Sequence, residues 1–171
     1  MRKDNSKVSG QGNPITLVGN EVKAGDAAPD FRVVDKDLAH RSLKDYEGKI
    51  KVLAIYPSID TGVCAAQNRK FNEMATGISD DVVVLSISCD LPFAQSRFCA
   101  AEGLENVVTL SDYQQVDFGL KYGFLMEDLR LLARGSVVID KKNVVQHIQW
   151  VPEITDEPDY DAVLNSVKSL I

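Results

Sequence analysis

Two predominantly apolar runs constrain this chain more than any other feature. They are Lys49-Ile50-Lys51-Val52-Leu53-Ala54-Ile55-Tyr56 and Asp81-Val82-Val83-Val84-Leu85-Ser86-Ile87-Ser88. Runs of this length and composition read as buried strands. Pro57 ends the first, because proline cannot donate to a sheet ladder. Between them, residues 65–75 are rich in good helix formers. Strand, helix and strand in that order make a parallel βαβ unit.

The remaining segments extend this alternation. Two short apolar pieces around Gly19-Asn20 predict a hairpin within residues 13–22, and residues 31–34 form another short strand. Residues 91–102 and 114–122 read as helices, with a short strand at 106–110 between them. Strands at 135–140 and 144–150 flank Lys141-Lys142-Asn143 as an antiparallel hairpin. Tyr160, Val163, Leu164, Val167, Leu170 and Ile171 fall at helical spacing and close the chain with an amphipathic helix. A parallel βαβ half followed by a hairpin and a terminal helix is the order of a thioredoxin-like α/β fold. A central mixed sheet flanked by helices is expected, with an N-terminal β-hairpin.

At 171 residues and 44% hydrophobic content, a single domain over 13–171 can bury its core without disulfide or metal staples. Residues 1–12 begin basic but lead into no apolar core of a signal peptide, and are expected to be a short disordered lead. No run of 18 or more apolar residues occurs, so a soluble, cytoplasmic protein without a membrane span is expected. The net charge of −6, with acidic and basic residues interleaved, offers no basic stripe for nucleic acid.

Chemistry concentrates at Cys64. It lies in the first turn of the 65–75 helix, where free amide hydrogens and the positive end of the dipole favour an anion. A free thiol, with a pKa near 8.5, is only a few per cent thiolate at neutral pH. Bringing such a group to about 6 requires roughly 3.4 kcal/mol at about 1.36 per unit. A helix terminus supplies about 0.3 to 1 kcal/mol and at best about 2. A permanent cation is therefore required. Arg134, opening the 135–140 strand, is better placed than Arg69, which should point away around the helix. Thr61, three residues before Cys64, is the expected N-cap.

Three cysteines with no Cys-x-x-Cys pair fit neither a secreted disulfide scaffold nor a zinc site. Cys64, Cys89, Cys99, His40 and His147 are scattered singly, so no metal or other cofactor is expected. Chemistry in open parallel sheets gathers beyond the carboxyl ends of the strands. Cys64 and Cys89 follow two such ends, whereas Cys99 could equally be an incidental small residue on a helix.

Pro57, Thr61 and Cys64 match the Pro-x-x-x-Thr-x-x-Cys signature of the peroxiredoxins. Phe71, the run Asp90-Leu91-Pro92-Phe93-Ala94-Gln95-Ser96-Arg97-Phe98-Cys99 and Glu102-Gly103-Leu104 resemble the bacterial thiol peroxidase subfamily. The resemblance runs from about Asn13 to the C-terminus. It implies an atypical 2-Cys peroxidase that reduces hydrogen peroxide and organic hydroperoxides. Cys64 would be the peroxidatic and Cys99 the resolving cysteine, joined in an intramolecular disulfide that thioredoxin reduces. Thr61 and Arg134 would donate to the peroxide, and a homodimer packed near the active-site loops is implied.

Cys89 is not required by that pattern and is expected to be a strand-end thiol with no catalytic duty, with a competing resolver as the alternative its position allows. A redox sensor or relay, signalling through mixed disulfides after the same Cys64 oxidation, is the alternative function.

Overall fold

The computed structural model describes residues 1–171, apart from the side chain of Thr76. The chain opens with β1 (Lys3–Gly10) and β2 (Asn13–Val18), then β3 (Val33–Val34), β4 (His40–Arg41) and a 3-10 turn at Leu43–Tyr46. The predicted βαβ unit follows as β5 (Ile50–Ile55), α1 (Gly62–Gly77) and β6 (Val82–Ser88). Next come α2 (Pro92–Glu102), β7 (Val107–Ser111), α3 (Asp117–Tyr122) and β8 (Leu125–Met126). The hairpin β9 (Gly135–Ile139) and β10 (Val145–Trp150) and the closing helix α4 (Tyr160–Lys168) complete the chain.

Seven strands form one sheet in the order β10-β9-β5-β6-β7-β3-β4. The central strands β5, β6 and β7 run parallel, and β9 joins β5 antiparallel. The alternation of side chains across this sheet separates two cores. Leu53, Ile55, Leu85, Ile87, Val137 and Ile139 face one way, against Phe118, Tyr122 and Phe124. Val52, Ala54, Val84 and Val138 face the other way, against Phe71 of α1 and Val163 and Val167 of α4. This is the mixed, helix-flanked sheet the element order predicts.

Register places the chemistry. Ile55, the last residue of β5, pairs with Ile87 on one side and with Gly135 on the other. The segment leading to Cys64, the end of β6 and the start of β9 therefore meet at one end of the central strands. Arg134, immediately before Gly135, is brought there by an antiparallel pairing that its distance along the chain conceals.

Two expectations about the N-terminus are corrected. The predicted disordered lead contains β1, whose residues pair with β2 from Lys3↔Val18 to Gly10↔Asn13. Its polar sequence conceals a strand held by ion pairs, Lys3 with Glu127 and Lys7 with Glu21, and by buried Val8. The hairpin also turns earlier than predicted, at Gln11-Gly12, both with positive φ (51° and 82°), in place of Gly19-Asn20. Gly19 instead permits close approach to α3, since a Cβ there would stand 2.2 Å from the Leu120 carbonyl oxygen. Further along, α3 begins at Asp117, later than predicted, because Val116 adopts the left-handed region (φ 49°) and cannot lie within a helix.

Glu153 fastens the β1–β2 turn to the body. Its carboxylate accepts hydrogen bonds from the backbone N–H of Gln11 (2.9 Å) and Gly12 (3.3 Å) and from the Ser9 hydroxyl (3.1 Å). Led by the Gln11 N–H, these donors hold its carboxyl down at about 2. A depressed carboxyl stabilises the fold above its unfolded value, about 4.3, and that contribution vanishes as the pH falls through the folded value. Glu153→Gln is thus expected to lower the urea midpoint at pH 7, with the difference from the parent closing towards pH 2. A difference that persists undiminished at pH 2 would sink this assignment.

Candidate active site

Strand β5 delivers the chain to the site through Tyr56 and Pro57, both buried. The Tyr56 N–H makes a ladder bond to Ile87 O at 3.3 Å, and Pro57, with no N–H, ends the pairing. Helix α1 then starts at Gly62 with Thr61 as its N-cap. The Thr61 hydroxyl accepts from the Cys64 N–H at 3.3 Å and donates to the Ser58 carbonyl at 3.3 Å. This is the expected cap, and it sets Cys64 in the first turn of α1.

Cys64 is fully buried and shares a small cluster with Tyr56 and Ile59. Arg134 reaches it as the sequence predicts, donating from Nη2 to Sγ at 3.2 Å. The guanidinium is itself only 2% exposed, so water screens this contact little. Its remaining donors are fixed: Nη1 to Gln67 Oε1 at 2.7 Å and Nε to the Ile154 carbonyl at 2.9 Å. Gln67 is held in turn by donating from Nε2 to the Ile55 carbonyl at 3.1 Å. Arg69, the other arginine considered, points away and pairs with Glu102 at 2.9 Å.

The sequence reading missed Gln67. Its signal was available, since a residue three positions after Cys64 on one helix shares the thiol's face. A second buried polar group lies beneath: Asn68 donates from Nδ2 to the Cys64 carbonyl at 2.9 Å and accepts from the Ser86 hydroxyl, whose oxygen in turn accepts from the Tyr56 hydroxyl at 2.9 Å. Such a satisfied network fixes the backbone of the reactive turn.

Cys99 sits on α2, half-buried, within the core face covered by α1 and α4. Burial raises its pKa and keeps it a thiol. Its neighbour Phe98 packs on Tyr56, Ile59 and Cys64, so Cys99 is one residue removed from the Cys64 cluster. A cavity of about 760 Å³ opens on the Cys99 side, lined by Tyr46, Ser96, Cys99 and Leu104 among others.

Cys89 packs against the opposite core, with Phe118 and Leu132. Burial, with Asp112 and Asp90 adding to it, pushes its thiol up to about 12. Of the two thiols that could meet Cys64, only Cys99 shares its side of the sheet.

His40 and His147 lie in β4 and β10, the two edge strands, and meet none of these groups. Trp150 stacks on Phe124 with centroids 5.0 Å apart and serves packing. Leu91 and Phe93 are 50% and 64% exposed, so core packing does not explain them. Among the described residues no helix is long and apolar enough to cross a membrane.

A buried thiol at a capped helix start with a guanidinium on its sulfur is the arrangement that thiolate chemistry requires. Comparison with known proteins agrees. The family model described as Redoxin matches residues 23–164. The thiol peroxidase of Oceanobacillus iheyensis is 49% identical over 160 residues, covering 94% of this chain and 97% of its own. That of Listeria innocua is 50% identical over 163 residues, covering 95% and 98%. Among solved structures, a peroxiredoxin-like protein from Aquifex aeolicus superposes over the whole of both chains with a TM-score of 0.91 and 44% identity. The thiol peroxidase from Chromobacterium violaceum, at 21% identity, shares the fold over 95% of this chain and 96% of its own with a TM-score of 0.85. The chain belongs to the Redoxin family, in the thiol peroxidase branch of the peroxiredoxins.

Proposed function

We propose that the protein is a thiol peroxidase that reduces hydrogen peroxide and organic hydroperoxides through Cys64, with Cys99 as resolving cysteine and thioredoxin as reductant. The observation that carries this reading is the 3.2 Å contact from Arg134 Nη2 to Cys64 Sγ at the capped start of α1. The thiolate attacks the distal peroxide oxygen, forming an S–O bond as the O–O bond breaks. Cys64 becomes a sulfenic acid, and the proximal oxygen takes a proton and leaves as water or alcohol. Arg134 Nη2 donates to the peroxide as negative charge develops on the leaving oxygen. Thr61 donates alongside it, its hydroxyl turning from the long bond to the Ser58 carbonyl (3.3 Å). Pro57 ends β5 so that this turn forms beyond the carboxyl end of a central strand.

Cys99 then attacks the sulfenic sulfur, releasing water and forming the Cys64–Cys99 disulfide, which a dithiol reduces by exchange. A disulfide needs Cα atoms within about 7 Å. Cys64 and Cys99 pack in separate clusters with both thiols free, so the start of α1, the end of α2, or both unwind between the steps. Exposed Leu91 and Phe93, beside the Cys64 loop, support a homodimer packed near it. The reaction belongs in the cytoplasm, where a dithiol pool can reduce the disulfide.

Arg134 supplies the test. Arg134→Met is expected to slow Cys64 oxidation by roughly 10²- to 10³-fold, the usual cost of removing a donor aimed at developing charge. Arg134→Lys should recover only part of this, because a lysine cannot reach sulfur, Gln67 and the Ile154 carbonyl in one planar fork. Rapid-mixing measurement of the second-order rate with peroxide decides it; an unaltered rate in folded Arg134→Met removes the arginine from the mechanism.

A further inference from the structure

Asp90 lies outside the group formed by Cys64, Thr61 and Arg134, yet it holds the segment that carries the thiol. Its Oδ1 accepts from the Ser58 hydroxyl at 2.8 Å. Its Oδ2 accepts from the Ile59 backbone N–H at 2.7 Å and from the Ser88 hydroxyl at 2.6 Å. The Ser58 carbonyl in turn receives both the N–H and the hydroxyl of Thr61. The capping residue of α1 thus hangs from backbone that Asp90 fixes.

The same residue also anchors the helix of the resolving cysteine. Asp90 lies two positions before Pro92, the first residue of α2, and its carbonyl accepts the Ser111 hydroxyl. One turn into α2, fully buried Gln95 donates from Nε2 to Ser88 Oγ at 3.0 Å and to the Leu110 carbonyl at 2.9 Å. Ser88, at the end of β6, therefore joins the Asp90 carboxylate to a side chain four residues before Cys99. Both segments whose movement would let Cys99 meet Cys64 are tied to one carboxylate. Hydrogen bonds to a carboxylate are the stronger kind, and these three are partly shielded from solvent.

We propose that Asp90 is a positioning residue, a latch that keeps Cys64 in the arrangement that meets peroxide and sets how readily the chain then opens for Cys99. The latch rests on the peroxidase reading above and deepens it. While Ser58 and Ile59 stay bound, Cys64 is presented to peroxide. Once they release, the start of α1 unwinds and the sulfenic acid becomes accessible to Cys99. Weakening the latch must therefore act oppositely on the two steps, slowing oxidation of Cys64 and quickening closure of the disulfide. A residue that only stabilised the fold would not divide them in this way.

The test begins without peroxide. In the reduced protein, Asp90→Ala is expected to raise amide hydrogen exchange across residues 58–66 and 91–99 roughly tenfold or more, the effect of losing a charge-assisted hydrogen bond. Exchange in α4 should not change. Rapid-quench mass analysis of a single turnover then follows: sulfenic acid should form more slowly, the disulfide should form from it faster, and less sulfinic acid should accumulate in excess peroxide. Ser58→Ala, which removes one of the three bonds, should give the same pattern with a smaller shift, and is the variant to read if Asp90→Ala does not fold. Unchanged exchange over 58–66 in a folded variant, or slower disulfide closure, overturns the latch. If the unsubstituted chain forms no sulfenic acid, the peroxidase reading fails instead, while the exchange result still decides whether Asp90 holds the segment.

Discussion

Cys64→Ser is expected to reduce peroxide consumption to the uncatalysed background, the largest effect of any single substitution. A serine hydroxyl is essentially never ionised at neutral pH and cannot be carried to a sulfenic acid, so the first step is lost rather than slowed. Loss of the fold is not the expected reason. Serine nearly matches cysteine in size, Arg134 Nη2 can donate to its oxygen in place of sulfur, and the Thr61 cap bonds the backbone N–H, which the substitution keeps. Circular dichroism and a thermal melt alongside the peroxide assay separate the two causes. Residual turnover in a folded Cys64→Ser protein would place the oxidisable group elsewhere.

The second large effect is expected at Cys99. With Cys99→Ser, one equivalent of peroxide should still be reduced at close to the parental rate, because Cys99 makes no contact with the reacting sulfur in the reduced fold. Turnover with thioredoxin should then collapse. The Cys64 sulfenic acid has no partner thiol, persists long enough to be trapped by dimedone, and passes to the sulfinic acid in excess peroxide. Cys89→Ser is the internal comparison, expected to cycle as the parent does. Cys89 packs on the other face of the sheet, and its thiol, pushed up to about 12 by burial, supplies almost no nucleophile at neutral pH. A collapse in Cys89→Ser matching that in Cys99→Ser would reverse the two assignments. Continued catalytic cycling of Cys99→Ser with thioredoxin would instead indicate a one-cysteine mechanism.

Much of the site was legible in the sequence because it rests on local signals. A strand ended by proline, a threonine cap and a thiol three residues later are neighbours along the chain, and each has a near-determined backbone consequence. Arg134 was found by a different route: the energy required to ionise a thiol exceeds what a helix terminus supplies, and few arginines were suitably placed. Why it reaches Cys64 became visible only with the antiparallel register of β5 and β9. The roles of Asp90 and Gln95 stayed hidden for the same reason, since they lie in contacts between segments about 30 residues apart or from α2 to the ends of β6 and β7. The N-terminal strand was missed because it is held by pairing with β2, a single buried valine and Glu153 on a distant loop, which leave no apolar periodicity to read. The separation of Cys89 from Cys99 depends on which face of the sheet each occupies, a property of packing that position beyond a strand end does not reveal.

The most direct test is to add one equivalent of cumene hydroperoxide to the fully reduced protein and map the product by intact mass and non-reducing peptide analysis. The account predicts rapid loss of a pair of hydrogens with Cys64 linked to Cys99 and Cys89 left as a free thiol. A Cys64–Cys89 linkage, or a protein that emerges unoxidised, would contradict it.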